Sequence, residues 1–188
     1  MKIKLILGIF LYILYTFFWY PFDAFAGNAT AASCSAADIQ TAINTVANGG
    51  GGIVTLPTCD VEWGNGDRIC IDSDDDLYFR GAGSSLTKIK YATGTSPGSA
   101  NVTCPVNGTM NQSNYSIFVQ GAGVREVSGF TFDGNTGGAT VVNGITVRQC
   151  GGSSDAERRA CQTDTNTSQR FTDIIIEGLS ADERGIYL

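Results

Sequence analysis

No histidine occurs anywhere in the chain, and that one absence removes several chemistries at once. Without an imidazole there is no Ser-His-Asp or Cys-His relay and no histidine-ligated zinc. No CxxC pair is present either, so the cysteines do not read as a metal site. Charge is sparse, with 12 Lys and Arg against 18 Asp and Glu for a net charge of −6. The basic residues form no cluster, which argues against nucleic acid, whose phosphates demand a track of Lys or Arg. The low charge content also excludes a disordered acidic tail. Proline is scarce at four residues, whereas glycine is abundant at 24 and punctuates the chain.

Hydrophobic length is concentrated at the start. Met1 to Lys4 is a short basic head, Leu5 to Phe22 is uncharged and almost wholly apolar, and Ala24-Phe25-Ala26 before Gly27 fits a small-x-small cleavage site. Residues 1–26 therefore read as a signal peptide, with an uncleaved membrane anchor as the rival. The remainder, 27–188, is the size of one domain. It is expected to be secreted, extracellular or periplasmic, with no membrane contact after cleavage. Six cysteines remain in it, Cys34, Cys59, Cys70, Cys104, Cys150 and Cys161, an even number that in an exported chain reads as disulfides with fifteen possible pairings. Cys150 with Cys161 and Cys59 with Cys70 each bracket a polar segment and are the candidate bridges.

The first folded element reads as a helix over about 36–48. Ser35 and Asp38 make a capping-box pattern, Ile39, Ile43 and Val46 share one helical face, and Asn48-Gly49 ends the run. After "IVTLP" no helical period is evident. Short strand-like runs follow, separated by Gly, Asn, Asp and Ser. Some phrases recur: "LYFRGAG" from Leu77 and "IFVQGAG" from Ile117, "SGFTFDGN" from Ser128 and "TDIIIEGL" from Thr172, "NGITV" from Asn143 and "RGIYL" from Arg184. Recurrence in preserved order is the pattern of stacked repeats. Alternation then assigns Leu77, Phe79, Ile117, Val119, Phe130, Phe132, Ile145, Val147, Ile174, Ile176, Ile186 and Leu188 to an interior face. Tyr78, Arg80, Phe118, Gln120, Thr131, Asp133, Thr146, Arg148, Ile175, Glu177 and Tyr187 are assigned to the outer one.

The segment "DIQTAINTVANGGGGIVTLP", followed by "DDLYFRGAGSSLTKIKY", resembles the amino-terminal cap and first turns of the pectin-lyase-like right-handed parallel β-helix superfamily. The resemblance spans roughly residues 34–188. It implies an all-β right-handed solenoid with a short capping helix, truncated at its carboxyl end, since "GIYL" stops in mid-strand without a polar terminal repeat. It also implies a carbohydrate-active enzyme, a polysaccharide lyase or glycoside hydrolase acting on an extracellular, pectin-like polysaccharide, with catalytic turns that extend past Leu188. The superfamily also contains tailspikes and adhesins, so the alternative is a non-catalytic surface protein that binds glycans. The polygalacturonase branch is disfavoured, because its Gly-His-Gly and Asn-Thr-Asp elements are missing.

Three sets of side chains are candidates for chemistry. Asp133 and Glu177 align one repeat apart and offer the two carboxyl groups that glycoside hydrolysis requires. Arg148, Arg184 and Tyr187 are candidate substrate contacts, the arginines for a uronate carboxylate and the tyrosine for a sugar face. Asp72, Asp74 and Asp76 have the spacing of a calcium loop, but Leu77 and Gly83 occupy the positions where an EF-hand has Gly and Glu, and a solvated turn is the competing reading. Calcium is the one candidate cofactor. The partner is expected to be polysaccharide and the protein a monomer. Asn28, Asn101, Asn107, Asn111, Asn114 and Asn166 each head an N-x-Ser/Thr sequon, four of them crowded into a polar stretch before Ile117.

Overall fold

The structure, a computed structural model, describes residues 27–98, 102–106, 108–110, 115–121, 123–134, 143–148, 169–179 and 186–187. The segment 1–26 expected to be a signal peptide, Leu188, Arg184, the expected Cys150–Cys161 pair and the sequons at 101, 107, 111, 114 and 166 lie outside the described residues. In chain order the elements are β1 (Ala29–Thr30), α1 (Ala36–Asn48), β2 (Gly52–Thr55), β3 (Cys59–Trp63), β4 (Ile69–Asp72), β5 (Leu77–Arg80) and β6 (Thr87–Tyr91). There follow β7 (Val102–Cys104), β8 (Gly108–Met110), β9 (Tyr115–Gln120), β10 (Val124–Asp133), β11 (Asn143–Arg148), β12 (Arg170–Glu177) and β13 (Ile186–Tyr187).

The helix lies where capping and periodicity put it. Ser35 is extended at φ −62° and ψ 147°, and its Oγ accepts from the Asp38 amide at 3.2 Å. Ile39, Ile43 and Val46 are fully buried, a burial on the order of 1.5–3 kcal/mol for each side chain. The helix stops at Gly49, whose amide returns to the Val46 carbonyl, and the next two glycines adopt positive φ. It packs against β1, β2 and β4. Gln40 on its flank behaves like a neighbouring strand, donating to the Cys70 carbonyl at 3.1 Å and accepting from the Cys70 amide at 2.7 Å.

The strands form two parallel sheets. The larger runs β1-β2-β5-β10-β6-β3, with β12 also on β10, and the second runs β13-β11-β9-β4. Register stacks like on like inside: Val54, Phe79, Val127 and Phe171 form one column, Val61, Ile89, Phe132 and Ile176 another, and Ile71, Val119 and Val147 a third in the second sheet. Trp63, Tyr91 and Phe132 meet edge to face in the core at centroid distances of 6.0–6.2 Å.

The all-β right-handed solenoid implied by the resemblance is corrected here. The described residues form two parallel sheets with one α-helix and an antiparallel pair, β7 with β8. The larger sheet is not a single-file stack of successive strands, because β10 holds β5 against its first half and β6 against its second. The most conspicuous echo also misleads, since Leu77–Arg80 lies in the larger sheet and Ile117–Gln120 in the second. What those phrases share is a strand followed by a tight backbone approach. A Cβ on Gly81 would lie 2.0 Å from the Gly129 carbonyl oxygen, and one on Gly123 would lie 2.1 Å from that of Asp75. The other two echoes are register partners, with Ser128, Phe130 and Phe132 opposite Thr172, Ile174 and Ile176, and Ile145 opposite Ile186.

Two disulfides join described residues, Cys34–Cys59 with Cα atoms 6.4 Å apart and Cys70–Cys104 at 5.3 Å. The expected Cys59–Cys70 bridge is therefore corrected. Cys59 opens β3 in the larger sheet and ties it to the segment before the helix, where the Trp63 indole also donates to the Cys34 carbonyl. Cys70 sits in the second sheet and ties it to β7. That second bridge covers the face of β9 that alternation assigns to solvent. Phe118 is packed there with Tyr115 and the cystine, and Gln120 and Thr146 are buried as well, against expectation. Thr131, also assigned outward, is buried and donates to the Ser84 carbonyl at 2.7 Å.

Candidate functional site on the outer face of the larger sheet

Two groups of polar side chains stand on this sheet, one on each half of β10. On the second half the register aligns Glu62 with Lys90, Lys90 with Asp133, and Asp133 with Glu177 across β3, β6, β10 and β12. The two residues that sequence pairs as carboxyl groups are thus direct cross-strand neighbours. Parallel strands are spaced about 4.8 Å apart and successive side chains alternate, so both carboxyl groups leave the same face of the sheet. Lys90 Nζ lies 3.5 Å from both Asp60 and Glu62, and the charge of Asp60, then Glu62, raises its pKa. It stays cationic beside the Asp133–Glu177 pair.

On the first half a buried carboxylate organises two arginines. Glu126 is only 6% exposed, and its Oε1 accepts from Arg80 Nε at 3.1 Å and from Ser128 Oγ at 2.8 Å. Its Oε2 takes Arg80 Nη2 at 3.3 Å and also Arg170 Nη2. The Arg170 bond, then those from Ser128 and Arg80, hold the Glu126 carboxyl at a pKa of about 2, against the opposing effect of burial. The outer edge of Arg80 packs over the Tyr78 ring at 5.2 Å. Between the two groups, β12 takes a positive φ of 51° at Asp173, whose carboxylate accepts from the Ser84 hydroxyl at 2.5 Å and its amide at 3.1 Å. Those bonds lower the Asp173 pKa.

The remaining sequence candidates among the described residues lie elsewhere. Arg148 lies in β11 and Tyr187 in β13, both strands of the second sheet. Asp72 is buried and accepts from the Val106 amide at 3.0 Å, while Asp76 pairs with Arg125 at 2.7 Å. Ser73 tightens the same turn by accepting from the Asp75 amide. Among the described residues, the one group of Cys, Asp and Glu side chains close enough to share an ion is Cys70, Asp72 and Cys104, and its two sulfurs are joined in a disulfide. Asp74 is not brought into it.

Sequence reasoning missed Lys90, Glu126 and Arg170 as parts of a site. Glu126 lies 46 residues from Arg80 and 44 from Arg170, so no local spacing announces the cluster. The available signal is a lone carboxylate between Val124 and Val127 in a strand, which must find cationic partners when it is buried. Comparison with protein-family models, curated proteins and solved structures finds no match.

Proposed function

We propose that this is an exported, disulfide-bonded protein that hydrolyses glycosidic bonds of an extracellular polysaccharide through Asp133 and Glu177. The observation that carries the reading is their direct register across β10 and β12. Retaining glycoside hydrolases use carboxyl groups about 5–5.5 Å apart, a separation close to the strand spacing of about 4.8 Å. One carboxyl protonates the glycosidic oxygen as the other attacks the anomeric carbon, and water then releases the sugar with the first group acting as base. Lys90, held cationic by Asp60 and Glu62, supplies a positive charge beside the pair for a polar or anionic sugar. Export is supported by the two disulfides, which persist in oxidising compartments, and by the leader pattern at the start of the chain. Among the described residues no helix is long and apolar enough to cross a membrane.

The test is incubation of the purified protein with a panel of uronate and neutral polysaccharides, following new reducing ends and ultraviolet absorbance together. Hydrolysis gives reducing ends without unsaturated products. Asp133→Asn and Glu177→Gln should each reduce the rate by about 100-fold or more while leaving the circular dichroism spectrum unchanged. Absorbance rising with the reducing ends would replace hydrolysis by elimination, and full activity in either variant would remove the pair from the mechanism.

A further inference from the structure

The outer face of the second sheet is covered, and what it buries is partly polar. Register and alternation set two rows side by side there across β4, β9 and β11, with Cys70, Phe118 and Thr146 in one and Asp72, Gln120 and Arg148 in the next. The first row is closed by the Cys70–Cys104 bridge, with Phe118 packed on the cystine. The second is closed at Asp72, whose Oδ2 accepts at 3.0 Å from the amide of Val106, two residues past β7. Asp72 is 0% exposed, Gln120 1% and Thr146 2%.

Gln120 brings into this layer an amide that the protein does not satisfy. Its Oε1 and its Nε2 are both buried without a hydrogen-bond partner, and so is Thr146 Oγ1. Turning the amide over exchanges its two ends and satisfies neither. Strand β9 is an inner strand, with β4 on one side and β11 on the other, so Gln120 does not stand at a sheet edge. An amide and a hydroxyl buried in this state cost free energy that apolar side chains of the same shape avoid. The atoms themselves indicate what relieves the cost. A cation satisfies Oε1 and leaves Nε2 unmet, and an anion satisfies Nε2 but is repelled by the Asp72 carboxylate in the same row. A hydroxyl-type ligand, which donates and accepts, meets both ends of the amide and the Thr146 hydroxyl as well. Because none of these atoms reaches the surface, that ligand is enclosed with them, which suits water and excludes a sugar ring.

We propose that Gln120 anchors an internal water site between the second sheet and its cover. One water accepts from Nε2 and another donates to Oε1. Buried waters make about three hydrogen bonds each, and the same face offers the Thr146 hydroxyl and the Asp72 carboxylate for the rest. The cover is then fastened in two ways, covalently through the cystine and by solvent held beneath it. The site is separate from the carboxyl pair on the larger sheet, and its failure would leave the proposed hydrolysis untouched.

In the purified protein the side-chain amide protons of Gln120, assigned through their own side-chain carbons, should show rotating-frame Overhauser contacts to water, with the sign that marks bound water and not proton exchange. Gln120→Met keeps the length of the side chain and cannot hydrogen-bond. It should lower the melting temperature by about 2–4 °C, because the waters lose their partner. Thr146→Val, which keeps the shape of the threonine, should lower it by less. An amide without a ligand predicts the reverse, since methionine then removes an uncompensated polar group and raises the melting temperature. If Gln120→Met does not fold, the water contact in the unaltered protein and the Thr146→Val comparison decide between the two. No water contact at the Gln120 amide, or a melting temperature raised by either variant, would overturn the proposal. So would a shift of the Gln120 amide signals on adding calcium or magnesium, which would assign the site to a cation.

Discussion

Glu126 shows how a single residue sets a local requirement. A carboxylate so well covered must be compensated, and Arg170, Ser128 and Arg80 converge on it from β12, β10 and β5. Its pKa falls from the ordinary 4.5 to about 2, so the folded state binds its proton less tightly than the unfolded chain. The stability this contributes is therefore fully present above about pH 4.5 and is lost as pH falls toward about 2. Glu126→Gln should flatten the acid limb of a stability-versus-pH curve across that window, while its effect at neutral pH reflects two arginines left without their carboxylate. A variant that keeps the steep acid limb would show that the arginines do not hold this carboxylate ionised. Both arginines are substantially exposed, so water screens the ion pairs and the effect is that of hydrogen bonds to a covered acceptor more than of bare charge.

At the scale of elements, the corner of β12 is built on an unusual choice. Asp173 takes a positive φ that L-residues other than Asn, Asp and Gly seldom adopt, beside the register position where Gly129 has φ 75° in β10. Asp173→Gly should cost little beyond the Ser84 contacts, Asp173→Asn should keep the corner and weaken those contacts, and Asp173→Ala should lower the melting temperature by a few degrees more than either. Equal melting temperatures for the Ala and Gly variants would show that backbone strain is not the reason for the aspartate. The helix was legible because its signals are local: a Ser cap, an apolar face at Ile39, Ile43 and Val46, and a glycine stop. The register of Ser128 with Thr172 was legible from matching phrases. Membership of a sheet was not, since "LYFRGAG" and "IFVQGAG" describe the same local event and say nothing about which sheet receives the strand.

For the whole molecule, the long-range links are those the sequence concealed. Cys34–Cys59 and Cys70–Cys104 close loops of 25 and 34 residues in separation, each worth on the order of 3–4 kcal/mol by the loop-entropy account. Cys70→Ala/Cys104→Ser should therefore lower the denaturation midpoint strongly and expose Phe118, readable as a gain in binding of a hydrophobic dye. An unchanged midpoint would mean that β7 and β8 cover the second sheet without help from the bridge. Fifteen pairings were open on the sequence, and neighbouring cysteines looked best because their loops are short and polar. The observed bridges instead follow from which strand faces which, a property of the folded stack. The carboxylate pair was legible for the opposite reason, as Asp133 and Glu177 occupy the same place in matching phrases, whereas Lys90 and Arg170 reach the same face from positions outside those phrases.

The measurement that bears most directly on the central claim is the anomeric configuration of the first sugar released, followed by proton magnetic resonance before mutarotation. Carboxyl groups on adjacent strands predict retention, with the signal lost in both Asp133→Asn and Glu177→Gln. Inversion, or a product whose formation is indifferent to these two residues, would contradict it.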